Sequence, residues 1–265
     1  AGIVNTFLIV SSSEYAHIAD RFGIPHVEIP RESYETLSQG KYESSTLYKT
    51  LSEFSPDVLI VDRMWFTLHR FIEELSCKKI FFTIQVDDRF FTMDLPDGQL
   101  SFNPAQYDRV IAIEPFESVV DLEQINPLVI RNRDEILPRK AALKGLGVGG
   151  SKKVCVVALN YKEGYFERLV EKYSYLEDAG YDMVYTTNLK GGGIFPIVDY
   201  FNAVDLIICA AGYTQFWETV FFEKDSVFEF FPLHFSNMKR RFEECSDFTF
   251  EKNGADQMVQ IITSL

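Results

Sequence analysis

The stretch Ala203-Val204-Asp205-Leu206-Ile207-Ile208-Cys209-Ala210-Ala211-Gly212-Tyr213-Thr214-Gln215-Phe216-Trp217-Glu218 decides the fold. Asp205–Cys209 is apolar without alternation, the pattern of a short strand covered on both faces. The run ends in small residues. Gly212 permits a tight turn and a close backbone approach, and Thr214 opens a helix running to Glu223. A buried strand feeding a helix through a glycine turn is part of a βαβ unit, and the same alternation extends from it in both directions.

Downstream, Val227–Phe230 is a strand, Ser236–Glu244 a helix and Ala255–Ser264 a final helix. Upstream, Lys153–Leu159 is a strand, Tyr165–Ala179 a helix ended by Gly180, Met183–Thr187 a strand and Val198–Ala203 a short helix. The first half follows the same logic, with strands at Ile3–Val10, Val27–Ile29, Asp57–Asp62, Lys79–Ile84 and Arg109–Ile113. Helices are expected at Tyr15–Phe22, Ser44–Phe54 and Trp65–Leu75. The first of these follows a capping box of Ser11 and Glu14 and ends at Gly23. Strands separated by helices imply right-handed crossovers and parallel sheets. Between the halves, Pro138 and Gly145-Leu146-Gly147-Val148-Gly149-Gly150 punctuate the chain just before a fresh strand. The expected architecture is α/β: two Rossmann-like, doubly wound, parallel-sheet domains, 1–130 and 131–265, with ligands in the cleft at the carboxyl ends of the strands.

Composition narrows the function. A net charge of −13 and a pI near 4.8 repel phosphate backbones, which disfavours nucleic acid. Lys152-Lys153 and Lys239-Arg240-Arg241 are short basic clusters that a solvated surface explains. No apolar run reaches the ~18 residues of a membrane span. The four cysteines lack metal or redox spacing, and Cys155 and Cys209 lie within apolar strands. They read as reduced core thiols of a cytoplasmic protein.

The chemistry concentrates where the opening stretch turns. The first N–H groups of a helix have no internal acceptor and its dipole is positive there, so a diphosphate can dock on backbone donors. Glu218, four residues beyond Thr214, offers a carboxylate to a pair of hydroxyls. On the residues alone, the segment reads equally as a plain βα turn with Thr214 as N-cap and Glu218 favourable to the dipole.

This segment resembles the donor-binding signature of the GT-B glycosyltransferases, the class that includes the lipid I N-acetylglucosaminyltransferase. Asp205, Gly212 and Glu218 match its spacing. The resemblance implies that Gly212, Tyr213, Thr214 and Gln215 hold the donor diphosphate and that Glu218 takes the ribose hydroxyls. It implies that the backbone around Phe195, in Ile194-Phe195-Pro196, reads the nucleobase, and that Asn160 lies near phosphate. Pro56 with Asp57–Asp62 is similar to a strand of the family's first domain, and Gly23-Ile24-Pro25 to a turn in it. The implied activity is metal-independent transfer of a hexosyl or N-acetylhexosaminyl group from a nucleotide-diphospho-sugar, a UDP-sugar first, to an acceptor hydroxyl. The sugar nucleotide is a substrate and no cofactor is implied. A peripheral membrane contact is compatible with the resemblance.

The chain departs from the family at two points. The acidic residue and glutamine that usually follow the proline loop are replaced within Pro232–Met238, where Asn237 stands in for the glutamine. The family's first strand and helix have no counterpart before Ile3, so apolar surface is expected beside Asp57–Asp62. Two alternatives stay open beside transfer: a nucleotide-sugar hydrolase or 2-epimerase on the same fold, and a binding protein without turnover, which the unmatched first unit and the altered acidic–glutamine pair favour. Asp62, at the end of its strand, is the candidate acid or base. Asp87-Asp88 could ligate a metal or form a solvated loop. Trp65 and Phe90-Phe91 could line an acceptor site or pack in the core.

Overall fold

The computed structural model describes residues 6–13, 17–32, 41–95, 98–189 and 192–265. Ile3, Val4 and Asn5 of the first expected strand, and Glu14 of the capping box, lie outside these residues. The chain divides into two compact units. One comprises Ala1–Ala112, Glu117–Gln124 and Val259–Leu265, and the other Ile113–Phe116 and Ile125–Met258.

In the first unit, β1 (Ile9–Ser11) pairs in parallel with β2 (His26–Glu28), and α1 (His17–Arg21) lies between them in sequence. Ser11 closes β1, and its hydroxyl accepts from the Ser13 N–H. Helix α2 (Thr46–Phe54) starts at Ser45, whose side chain accepts from the Tyr48 N–H, and buries Leu47 and Leu51. The second sheet is parallel throughout. It comprises β3 (Val58–Asp62), β4 (Lys78–Thr83), β7 (Arg109–Ala112) and β8 (Glu123–Gln124), in that order. Among the described residues β3 is an edge strand, and its Ile60 is 41% exposed.

One local expectation gives way in this unit. The helix expected at Trp65–Leu75 is α3 (Trp65–Leu68) and then a 3-10 turn at Ile72–Glu74. An antiparallel hairpin, β5 (Thr92–Leu95) with β6 (Gly98–Ser101), precedes β7. Trp65, Phe90 and Phe91 are core residues. The Trp65 indole donates to the Phe90 carbonyl at 3.1 Å, and Phe102 packs on both Trp65 and Phe81.

The second unit has one parallel sheet, β10 (Tyr181–Thr186), β9 (Lys153–Ala158), β11 (Leu206–Ala210) and β12 (Ser226–Glu229), in that order. The crossovers are α5 (Tyr165–Tyr173) between β9 and β10, a 3-10 turn at Ile197–Tyr200 between β10 and β11, and α6 (Tyr213–Phe221) between β11 and β12; α4 (Arg139–Leu146) precedes β9, and α7 (Met238–Cys245) and α8 (Gly254–Ser264) follow β12. Helix α4 fills the segment between Pro138 and the glycine-rich stretch, with which it shares Gly145 and Leu146. Gly147, at φ 72°, ends it in the left-handed conformation. One core layer joins Val154, Val156, Val198, Phe201 and Ile207. The other joins Cys155, Val157, Leu169, Phe216, Trp217 and Phe221. Alternate residues of β9 thus feed opposite layers, as burial on both faces requires. Asp205 anchors the start of β11, accepting from the Val154 N–H at 2.8 Å.

The chain's entry to this unit and its exit are joined. The Asn253 side chain accepts from the Val129 N–H and donates to the Val129 carbonyl, and the Gly254 N–H donates to the Pro127 carbonyl. A Cβ on Gly254 would fall 1.9 Å from the Asn126 oxygen, a backbone atom with no room to retreat. Gly254→Ala should therefore lower stability by about 2–3 kcal/mol. Its urea midpoint decides this, and an unshifted midpoint would mean that the two strands part without cost.

Candidate functional site

Strand order in the second unit reverses between β9 and β11: β9 leads outward to β10, whereas β11 leads the other way to β12. Loops leaving two such strands diverge and open a crevice at their carboxyl ends. The turn after β11 lies at that place. Its first helical hydrogen bond runs from the Phe216 N–H to the Gly212 carbonyl at 3.0 Å. The N–H groups of Tyr213, Thr214 and Gln215 therefore precede any acceptor within the helix.

The local geometry corrects two expectations. Helix α6 opens at Tyr213, with Gly212 as its cap and no side-chain capping bond, so Thr214 is an exposed first-turn residue and not the N-cap. Gly212 sits at φ −66° and ψ 161°, extended backbone that any residue adopts. An added Cβ there would meet Met238 Cε at 4.0 Å as its nearest neighbour. The glycine leaves backbone open to an approaching group; it does not enable the turn.

Tyr213 turns its side chain inward. Its hydroxyl donates to the Ile113 carbonyl at 3.0 Å and accepts from the Leu128 N–H at 2.7 Å, so only its backbone remains to meet a ligand. Gln215 reaches β9, donating to the Ala158 carbonyl at 3.2 Å. Asn160, in the loop after β9, accepts the Asn188 N–H at 2.6 Å. Asn188 in turn donates to the Ile194 carbonyl at 3.4 Å, and the Ile194 N–H donates to Thr186 Oγ1 at 2.8 Å. Asn160 and the Phe195 segment are thus tied through one buried asparagine. Asn237 is the N-cap of α7, its Oδ1 accepting from the Lys239 and Arg240 N–H groups. That oxygen is occupied as a helix cap, and the adjacent Met238 brings its Cε to 4.0 Å from where a Cβ on Gly212 would lie.

Glu218 lies deeper than its spacing suggested. It is 2% exposed, and its Oε1 has no hydrogen-bond partner among the described residues. Burial pushes its carboxyl pKa up to about 8; the Ile130 N–H and Arg131 oppose the shift, and Asp199 adds to it. Asp62 belongs to the first unit, where its half-exposed carboxylate pairs with Arg63 Nε at 2.8 Å. Asp87 pairs with Arg89 at 3.3 Å. Among the described residues no group of three His, Cys, Asp or Glu side chains could hold a metal.

Sequence reasoning missed a fully buried cluster behind the turn. Arg241, read as part of a solvated basic run, is 0% exposed. Its Nε and Nη2 donate to the two oxygens of Glu114, each at 2.8 Å, and the Trp217 indole donates to Glu114 Oε2 at 2.6 Å. Helical phase was the available signal. Met238, Arg241 and Cys245 are the buried residues of α7, spaced by three and four along one face. Lys239 and Arg240 point outward to Glu243 and Glu244.

Two parallel-sheet units of this kind, one with a glycine turn at its switch point, define the GT-B glycosyltransferase fold, and the chain has that fold. It is similar to the spinosyn forosaminyltransferase SpnP, with a TM-score of 0.60 and 14% identity over 91% of this chain and 75% of that one. The spinosyn rhamnosyltransferase SpnG, complexed with spinosyn aglycone, gives a TM-score of 0.53 and 13% identity over 83% of this chain and 72% of that one. The glycosyltransferase SsfS6 of Streptomyces sp. SF2575, complexed with thymidine diphosphate, gives 0.51 and 10% over 83% and 72%. At such identities the likeness is one of fold. No protein-family model matches the chain, and no curated protein matches it. No helix among the described residues is long and apolar enough to cross a membrane.

Proposed function

We propose that this protein transfers a sugar from a nucleoside-diphospho-sugar, a UDP-sugar being the first candidate, to an acceptor hydroxyl without a metal. The observation that carries the reading is the open backbone at the amino end of α6, placed at the switch point of its sheet and followed one turn later by a buried carboxylate with a free oxygen. A diphosphate there meets the N–H groups of Tyr213, Thr214 and Gln215 and the positive end of the helix. Glu218 pairs with the ribose hydroxyls, and the backbone around Phe195 takes the base. Asn160 and Asn237, the latter at the start of α7, flank the phosphate and sugar.

As the bond between the sugar and the diphosphate breaks, negative charge grows on the departing phosphate oxygens, and the helix end stabilises it where it grows. The acceptor oxygen attacks the anomeric carbon and its proton passes to a base. Asp62 is assigned that role because its carboxylate stands, solvent-accessible, at the carboxyl end of β3.

Thymidine diphosphate in SsfS6 makes it the nucleotide to compare with UDP. Calorimetry should show binding of at least one of the two. Glu218→Ala should weaken it by about 1–3 kcal/mol through loss of the ribose hydrogen bonds. Equal affinity in both proteins rejects the role of Glu218, and binding of neither nucleotide to the wild type rejects the donor reading.

A further inference from the structure

Gly212 is flanked by two residues that are fixed from the same place. The residue before it, Ala211, is fully buried, and its carbonyl accepts from Arg241 Nη1 at 3.1 Å. The side chain of the residue after it, Tyr213, reaches the Ile113 carbonyl. Ile113 precedes Glu114, the carboxylate that receives the other two donors of Arg241. The short segment Ile113–Phe116, which follows β7 and belongs to the second unit, thus grips both sides of the turn, once through a guanidinium and once through a phenol. Its next residue, Pro115, accepts from Cys245 of α7.

A buried ion pair of this kind is a weak source of stability, because the cost of removing both charges from water offsets their attraction. Apolar or neutral replacements of similar volume often do as well. What a guanidinium supplies that they do not is direction: a planar fork binds a carboxylate through two nitrogens while a third points along a set line. Here that third nitrogen points at the carbonyl immediately before the open turn.

We propose that Glu114 and Arg241 are positioning residues for the phosphate turn. By fixing the Ala211 carbonyl they set the direction of the N–H groups from Gly212 to Gln215 at which the donor diphosphate docks. The inference rests on the donor reading above.

The test compares wild type with the double variant Glu114→Gln/Arg241→Met, which leaves no buried charge unpaired and keeps an acceptor for Trp217. Three quantities are read: the urea midpoint, amide hydrogen exchange of residues 211–216 in the free protein, and calorimetric affinity for UDP and thymidine diphosphate. The expected result is a midpoint equal to or above that of wild type. Exchange at Ala211 and Phe216, whose N–H groups are bonded to the Glu229 and Gly212 carbonyls, should be at least about tenfold faster and nucleotide affinity at least about tenfold weaker, since a small displacement of directed donors is costly. A folded double variant with wild-type exchange and wild-type affinity overturns the positioning role and leaves the donor reading standing. Wild type that binds neither nucleotide overturns both. Arg241→Lys gives a second decision if the double variant does not fold: one ammonium keeps the charge beside Glu114 but does not reproduce the fork to Ala211, so the same loosening of the turn is expected, and its absence overturns the proposal.

Discussion

Replacing Arg241 with alanine should destabilise the second unit by about 3–5 kcal/mol, the cost of breaking a buried ion pair from one side. The size follows from what remains. Glu114 is 0% exposed, and its carboxylate would keep the Trp217 indole but lose both guanidinium nitrogens. The Ala211 carbonyl would lose its donor as well. Adding Glu114→Gln should recover most of the loss, because the charge that has no partner is then gone. Unfolding in urea, followed by Trp217 emission in a Trp65→Phe background, measures both. A loss within the ~0.5 kcal/mol usual for surface changes would show that Glu114 finds water or another cation when Arg241 is cut back.

Glu218→Gln should become progressively more stable than wild type as pH rises from about 5 to about 8. Inside the protein the Glu218 carboxyl keeps its proton up to about pH 8, whereas in the unfolded chain it releases it near ~4.3. Between those values the folded state binds the extra proton, so stability falls as pH increases, by about 1.4 kcal/mol per unit. The neutral form's contribution is complete below the unfolded value and is lost as pH climbs through the folded one, reaching about 4–5 kcal/mol at the upper end. Glutamine carries no proton to lose. Asp199 and Arg131 are the groups whose charge Glu218 feels, and neither is altered by the substitution. Urea midpoints of both proteins at about pH 5, 6.5 and 8 would show the divergence. Parallel curves would mean that the wild-type carboxylate ionises inside the protein at ordinary cost.

These two groups were unequally legible from sequence. The sheets could be read because a parallel sheet demands runs such as Asp57–Asp62 and Asp205–Cys209, apolar on both faces, and the helices between them carry their own period. Glu218 could be read from its spacing to Gly212, since both lie on one turn and its helix. Its depth could not, because burial is set by packing against residues such as Ile130. Glu114 was illegible for a related reason: its partner lies 127 residues away, and no local pattern announces a pairing over that distance. Helix α4 hid in a stretch whose glycines suggested only punctuation, although Arg139–Leu143 is good helix-forming sequence. Trp65–Leu75 failed oppositely: its apolar period continues, but beyond Leu68 the backbone tightens, the Phe71 N–H bonding to the Leu68 carbonyl three residues back.

The clasp between Asn126–Val129 and Asn253–Gly254 bears on where the chain can be cut. With its entry and exit bonded to each other, the stretch from Ile125 to Met258 is close to a closed ring of sequence. New termini could be opened on its surface, and the old ones joined by a short linker, with little effect on its core. A fragment beginning at Ile125 would nevertheless omit Glu114 and seal a lone guanidinium inside. A separable second unit therefore has to carry Ile113–Phe116 with it, which places the upstream cut directly after β7 and before the seam at Ile125.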